Sequence, residues 1–114
     1  MSEVFFDGYE TTIIKRLGGH VFADINDEPT FRFKKYGLTI SVRKGPGRFD
    51  YFCEVTSPDI PVKVIANGGN IIHAIAMAMD QVQRTMRPYI MADAAAKFIE
   101  DDIKKEFHYD REDS

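Results

Sequence analysis

From Ile71 to Met86 the apolar positions Ile71, Ile75, Ala78, Met79, Val82 and Met86 recur at steps of three and four. That spacing sets them on one stripe of a 3.6-residue helix. Upstream the period changes to two. Phe31 and Phe33 alternate with Arg32 and Lys34, and Leu38, Ile40 and Val42 alternate with Thr39, Ser41 and Arg43. Tyr51, Cys53 and Val55 repeat the pattern, with Phe52 and Glu54 between them. Alternation of this kind marks strands with one buried face. A sheet with one apolar face and a helix with one apolar stripe can cover each other. The pattern predicts an α+β fold: an antiparallel sheet of three to five strands with a long helix at about 70–87 packed on one face.

Local signals supply the remaining elements. Asp7 and Glu10 stand at capping-box spacing, Tyr9, Ile13, Ile14 and Leu17 make a short stripe, and Gly18-Gly19 offers a left-handed stop. These predict a short N-terminal helix over 8–17, although the β-branched run 11–14 also suits a strand. His20 to Ile25 reads as a first strand with Val21, Ala23 and Ile25 on one face, and residues 26–29 as a turn. The apolar parity switches across Tyr36-Gly37, the mark of a bulge or a tight break between strands. Residues 44–48 (Lys-Gly-Pro-Gly-Arg) and 57–61 (Ser-Pro-Asp-Ile-Pro) read as turns, with a last strand over 61–65. Connections this short favour antiparallel pairing. Asn70 caps the main helix and Pro88 stops it. Ala95, Phe98, Ile99 and Ile103 then give a C-terminal helix from Tyr89 to about Phe107, and 108–114 a polar tail expected to be disordered.

A chain of 114 residues predicts one domain, 1–114, and its 44% hydrophobic and 29% charged residues argue against general disorder. The single cysteine, Cys53, permits no intrachain disulfide and reads as a buried structural thiol. Neither a secretory leader nor a long apolar stretch is visible, so a cytoplasmic protein without a membrane association is expected. The net charge of −3 hides a division along the chain. Residues 31–49 carry Arg32, Lys34, Lys35, Arg43, Lys44 and Arg48 and no acid, whereas both ends are acidic.

Two clusters stand out as candidate binding residues. The basic hairpin, its six cations interleaved with Phe31, Phe33, Tyr36 and Phe49, has the makings of a phosphate-binding and stacking surface. A solvated strand face explains the same alternation, and the acidic balance of the whole chain counts against nucleic acid. Glu100, Asp101, Asp102 and Glu106 form an acidic face on the last helix, fit either for a basic partner or for pairing with Lys104 and Lys105. Gly68-Gly69 ahead of a helix is an anion-binding geometry in principle, but a phosphate loop and a dinucleotide fingerprint are both absent. His20, His73 and His108 lie outside metal-ligand spacing of one another and of Cys53. No catalytic residue, metal or cofactor is expected.

The order of short helix, antiparallel strands and long helix resembles the double-stranded-RNA-binding domain. In that family lysines at the start of the last helix contact RNA; here that stretch is Asn70-Ile-Ile-His-Ala-Ile-Ala, so the contacts do not carry over. Residues 38–86, with the Pro-containing turn 57–61 and the Ala-rich run 74–78, are also similar to the strand–strand–strand–helix module of HicB-type antitoxins. Shape alone does not license function. The expectation is a small non-enzymatic protein-binding module, a regulator or inhibitor of a larger partner, touching it through the acidic helix. The alternative is a nucleic-acid-binding module using hairpin 31–49. The apolar residues Phe98, Ile99, Ile103 and Phe107 also suit a homodimer through the C-terminal helix.

Overall fold

The fold, a computed structural model describing residues 6–23, 28–45, 50–58, 60–86 and 89–107, opens with α1 (Gly8–Leu17). Five strands follow: β1 (His20–Ala23), β2 (Pro29–Lys35), β3 (Leu38–Lys44), β4 (Tyr51–Ser57) and β5 (Ile60–Gly68). Two helices close the chain, α2 (Ile71–Thr85) and α3 (Ile90–Phe107). Each strand pairs antiparallel with its chain neighbours, so the sheet order is β1-β2-β3-β4-β5. The α+β class, the antiparallel sheet and all three helices agree with the sequence pattern. The first half of the predicted turn 26–29, most of turn 44–48, the stop at Pro88 and the tail 108–114 lie outside the described residues, and Pro29 already belongs to β2.

The alternation of apolar positions becomes two rows across the inner face. One runs Phe31, Val42, Cys53, Ala66 and the other Phe33, Ile40, Val55, Val64, each residue opposite the next on the neighbouring strand. The apolar stripe of α2 covers them, with Ile75, Ala78, Met79, Val82 and Met86 all completely buried. Burial of each large side chain of this set stabilises by roughly 1.5–3 kcal/mol. α1 and α3 add Ile13, Ile14, Ala92, Ala95, Ala96, Ile99 and Ile103 to the same cluster, so all three helices lie on one face of the sheet.

Three local devices fix this arrangement. The parity switch at Tyr36-Gly37 is a two-residue hairpin turn: both residues have positive φ (52° and 83°), and Lys35 pairs with Leu38. A turn with left-handed residues at both central positions matches the right-handed twist of the strands. At the other end of the sheet Gly68 passes directly under the first turn of α2. A Cβ there would stand 2.6 Å from the Ala74 nitrogen. Only hydrogen fits. α2 starts on the Asn70 side chain, which accepts from the His73 N–H at 2.8 Å.

The third device is the capping box of α1, realised as predicted. Asp7 accepts from the Glu10 N–H, and Glu10 accepts in return from the Asp7 N–H, each at 2.8 Å. Glu10 does more than its spacing announces. It is buried beneath the sheet, where its carboxylate accepts from Lys44 Nζ at 2.9 Å and from the Tyr51 hydroxyl. A buried carboxylate without such partners would be costly. Burial first, and then the hydrogen bond to Glu10, push the Tyr51 phenol above its ordinary range.

Several expectations are corrected. Tyr9 and Val21 are exposed, so neither helps form the core. The last strand is longer than 61–65, and α2 ends at Thr85, with Met86 as its C-cap. Phe98 lies off the buried side of α3. Among the described residues no helix is long and apolar enough to cross a membrane.

Gly68→Ala is expected to cost about 1–3 kcal/mol, because the added methyl meets backbone that cannot move aside. Thermal unfolding measures it, and an unchanged midpoint would contradict the contact between β5 and α2. Cys53 is fully buried, and desolvation, then the charge of Glu54, raises its pKa far above that of a free thiol. A thiol reagent should therefore modify Cys53 in the native protein only as fast as the protein opens. Modification as fast as in denaturant would show the strand to be unburied.

Candidate functional site

The acidic helix face and the basic hairpin, distant in sequence, are partly bound to each other. α3 runs past the β2–β3 turn, where Asp102 pairs with Lys35 Nζ at 3.1 Å and accepts from the Tyr36 hydroxyl at 3.1 Å. Glu106 forms an ion pair with Arg16 at 2.6 Å, and Arg16 also lies 4.8 Å over the Phe107 ring. Glu100 pairs along its own helix with Lys104 at 3.9 Å. Asp101 alone of the four is exposed and in no ion pair among the described residues. Two of the predicted partner-binding acids therefore hold α3 to the hairpin tip and to α1.

A surface sits directly beside these ties. The rings of Tyr36 and Phe98 meet at a centroid distance of 5.5 Å, although Tyr36 is 54% and Phe98 56% exposed. Seven residues back on α3, two helical turns along the same face, Met91 is more exposed still, and Tyr89 and Ile90 adjoin it. Desolvation would raise the pKa of Asp102. The hydrogen bonds from Lys35 and Tyr36 and the charges of Lys35 and Lys105 outweigh it and hold the carboxyl below the usual range.

The basic residues do not form one patch. The pleat deals them alternately to the two faces of the sheet. Lys35 and Lys44 belong to the helix side, engaged with Asp102 and Glu10. Arg32, Lys34 and Arg43 belong to the outer face, which no helix covers among the described residues. Arg48 lies outside the described residues.

Register sets out that outer face in rows. Phe22, Thr30, Arg43, Phe52 and Asn67 stand opposite one another across all five strands, and His20, Arg32, Ser41, Glu54 and Ile65 form the next row. The guanidinium of Arg32 lies 5.0 Å over Phe22, and that of Arg43 lies 4.9 Å over Phe52. Arg32 also donates to the Ser41 hydroxyl at 3.0 Å, Arg43 faces Glu28 at 4.0 Å, and Lys63 pairs with Glu54 at 3.5 Å. A depression of about 270 Å³ lies among Thr30, Arg43, Phe52 and Ile65. Sequence reading set Phe52 opposite the buried face of its strand but singled out neither Phe22 nor Phe52 as a binding residue. Their alternation with buried neighbours was the available signal for Phe52; the pairing that aligns the two needs the register.

Among the described residues no three His, Cys, Asp or Glu side chains converge as metal ligands. The chain matches no family model, and no curated protein and no solved structure is similar to it. The two resemblances accordingly rest on element order and local sequence pattern.

A carboxyl whose folded pKa is depressed contributes stability above its unfolded pKa and loses that contribution as pH falls through the folded value. The tie between the hairpin tip and α3 is therefore expected to hold unchanged from neutral pH to about 5 and to loosen below about 4, the unperturbed carboxylate range. Chemical shifts of the Tyr36 and Phe98 rings report it. An Asp102→Asn variant should lack the change; a wild-type transition near neutral pH would contradict the assignment.

Proposed function

We propose that the protein is a non-enzymatic binding module that regulates or inhibits a larger protein partner, docking it on the Tyr36–Phe98 pair and the adjacent acidic side of α3. The observation that carries this reading is the conformation of Tyr36. The residue is left-handed at φ 52°, in a turn that favours Asn, Asp or Gly. Side chains with a Cβ pay about 1–2 kcal/mol for that region. What the tyrosine gains in return is a ring held against Phe98 and a hydroxyl held by Asp102.

Two aromatic rings, exposed but already ordered, suit the centre of a protein interface. Aromatic anchors carry much of the binding energy in such contacts, and ordering them beforehand lowers the entropic cost of association. Met91 extends the apolar surface, and Asp101, one turn on from Phe98, borders it with negative charge. Charge at a rim steers the encounter and raises the association rate. The reading thus keeps the acidic helix as the contact but moves its centre from the carboxylates to the rings beside them.

Tyr36→Asn keeps a residue suited to the turn, and Phe98→Ser changes an exposed helix position. Tagged wild type and both variants are presented to nuclease-treated native lysate of the source cell. The wild type is expected to retain a defined protein that each variant binds about thirtyfold more weakly, as loss of an interface anchor predicts, with both variants still folded by circular dichroism. Equal recovery by all three proteins, or none by the wild type, would refute this surface.

A further inference from the structure

The outer face of the sheet lies on the side opposite all three helices, and its chemistry differs from that of the helix side. Arg32, Lys34, Arg43 and Lys63 are set there against Glu54 and Glu28, an excess of positive charge on a chain of net charge −3. Among the described residues neither Arg32 nor Lys34 is in an ion pair, so two cations of this face have no carboxylate to neutralise them. Phe22 and Phe52 occupy one row, three strands apart, a separation of about 14 Å at the usual strand spacing. Each carries an arginine guanidinium on its ring.

We infer that this face binds single-stranded nucleic acid, with bases stacked on the Arg32–Phe22 and Arg43–Phe52 pairs and the phosphates held by Arg32, Lys34 and Arg43. Guanidinium planes and aromatic rings are the two side-chain surfaces on which unpaired bases stack. Here each guanidinium already lies over a ring, and the Ser41 hydroxyl accepts from Arg32 Nε. The Arg32–Phe22 pair also stands as a ridge between two hollows. The depression of about 270 Å³ lies toward Phe52, and a second of about 460 Å³ lies toward the sheet edge, lined by Gly18, His20 and Lys34. Thr30 and Ser41, both neutral and polar, line the first depression. A duplex, whose bases are already stacked and paired, cannot use the rings. The occupant is therefore a single strand, and the contact is made by the outer sheet face, without Lys35 and Lys44 of the hairpin.

Fluorescence anisotropy of short labelled single strands of mixed sequence, RNA and DNA, tests this beside a duplex of the same sequence over a salt series. Three cationic contacts predict a slope of log K against log salt of about −2 for a single strand. Affinity for the duplex should be at least about tenfold lower. Phe52→Ala and, separately, Phe22→Ala should each weaken single-strand binding about tenfold, the loss of one stacked base. Arg32→Glu with Arg43→Glu should abolish it, while Lys104→Glu with Lys105→Glu on the helix side should leave it unchanged. Circular dichroism confirms that each variant is folded. Absence of binding at low salt, equal affinity for duplex and single strand, or equal loss from the helix-side pair would overturn the inference. So would a protein that survives nuclease treatment and is released by the Arg32 and Arg43 reversals, since the face would then be a protein-docking surface.

Discussion

Burial of the two inner rows of the sheet beneath α2 is the constraint on which everything else rests. Side chains alternate strictly along a strand, so committing Phe31, Phe33, Ile40, Val42, Cys53 and Val55 to the inside commits their neighbours to the outside. A slip of one residue on any strand would turn its whole apolar set toward water. The cost of exposing three large buried side chains is several kcal/mol, a large part of what a domain of this size has in total. The register is therefore the best-determined feature of the protein. The alignment of Phe22, Arg43 and Phe52 on the far side follows from it without any contact of their own.

The helices that flank α2 are held by packing and positioned by charge. Glu10 begins as a capping residue and ends as a buried anchor, joined to Lys44 and Tyr51 on two adjacent strands. α3 packs through small residues, Ala92, Ala95 and Ala96, which bring it close, and through Ile99 and Ile103. Its outward side is fastened at Asp102 and Glu106. These are exposed pairs, worth little individually. Their effect is positional: they set Phe98 beside Tyr36 and leave Asp101 facing water. The result is two surfaces with opposite character, an aromatic and acidic one at the hairpin tip and an aromatic and cationic one across the sheet.

Much of the fold was legible because it depends on period and on local stops. The capping box at Asp7 and Glu10, the Asn70 cap and the three-and-four stripe of α2 are written in adjacent residues. The parity switch at Tyr36-Gly37 announced a break, but whether it was a bulge or a turn depended on hydrogen bonds that sequence does not show. The sites were less legible. Six cations in nineteen residues suggest one patch when counted along the chain, yet a pleated sheet separates them by parity, and that rule could have been applied to the charges as it was to the apolar residues. Phe98, grouped by spacing with Ala95, Ile99 and Ile103, is a related case. Ala92, Ala95, Ala96, Ile99 and Ile103 already complete a helical stripe, which leaves Phe98 outside it. Pairings such as Lys44 with Glu10, or Asp102 with Lys35, join residues far apart in sequence and were beyond reach of any local pattern.

The most direct test of the account is the strand register itself, read from cross-strand nuclear Overhauser effects in isotopically labelled protein. The account predicts contacts linking Thr30 to Arg43 and Arg43 to Phe52 on one face, and Phe31 to Val42 and Val42 to Cys53 on the other. A register displaced by one residue on β2, β3 or β4 would contradict it, because the core, the aromatic row and the cationic face would then all be assigned to the wrong sides of the sheet.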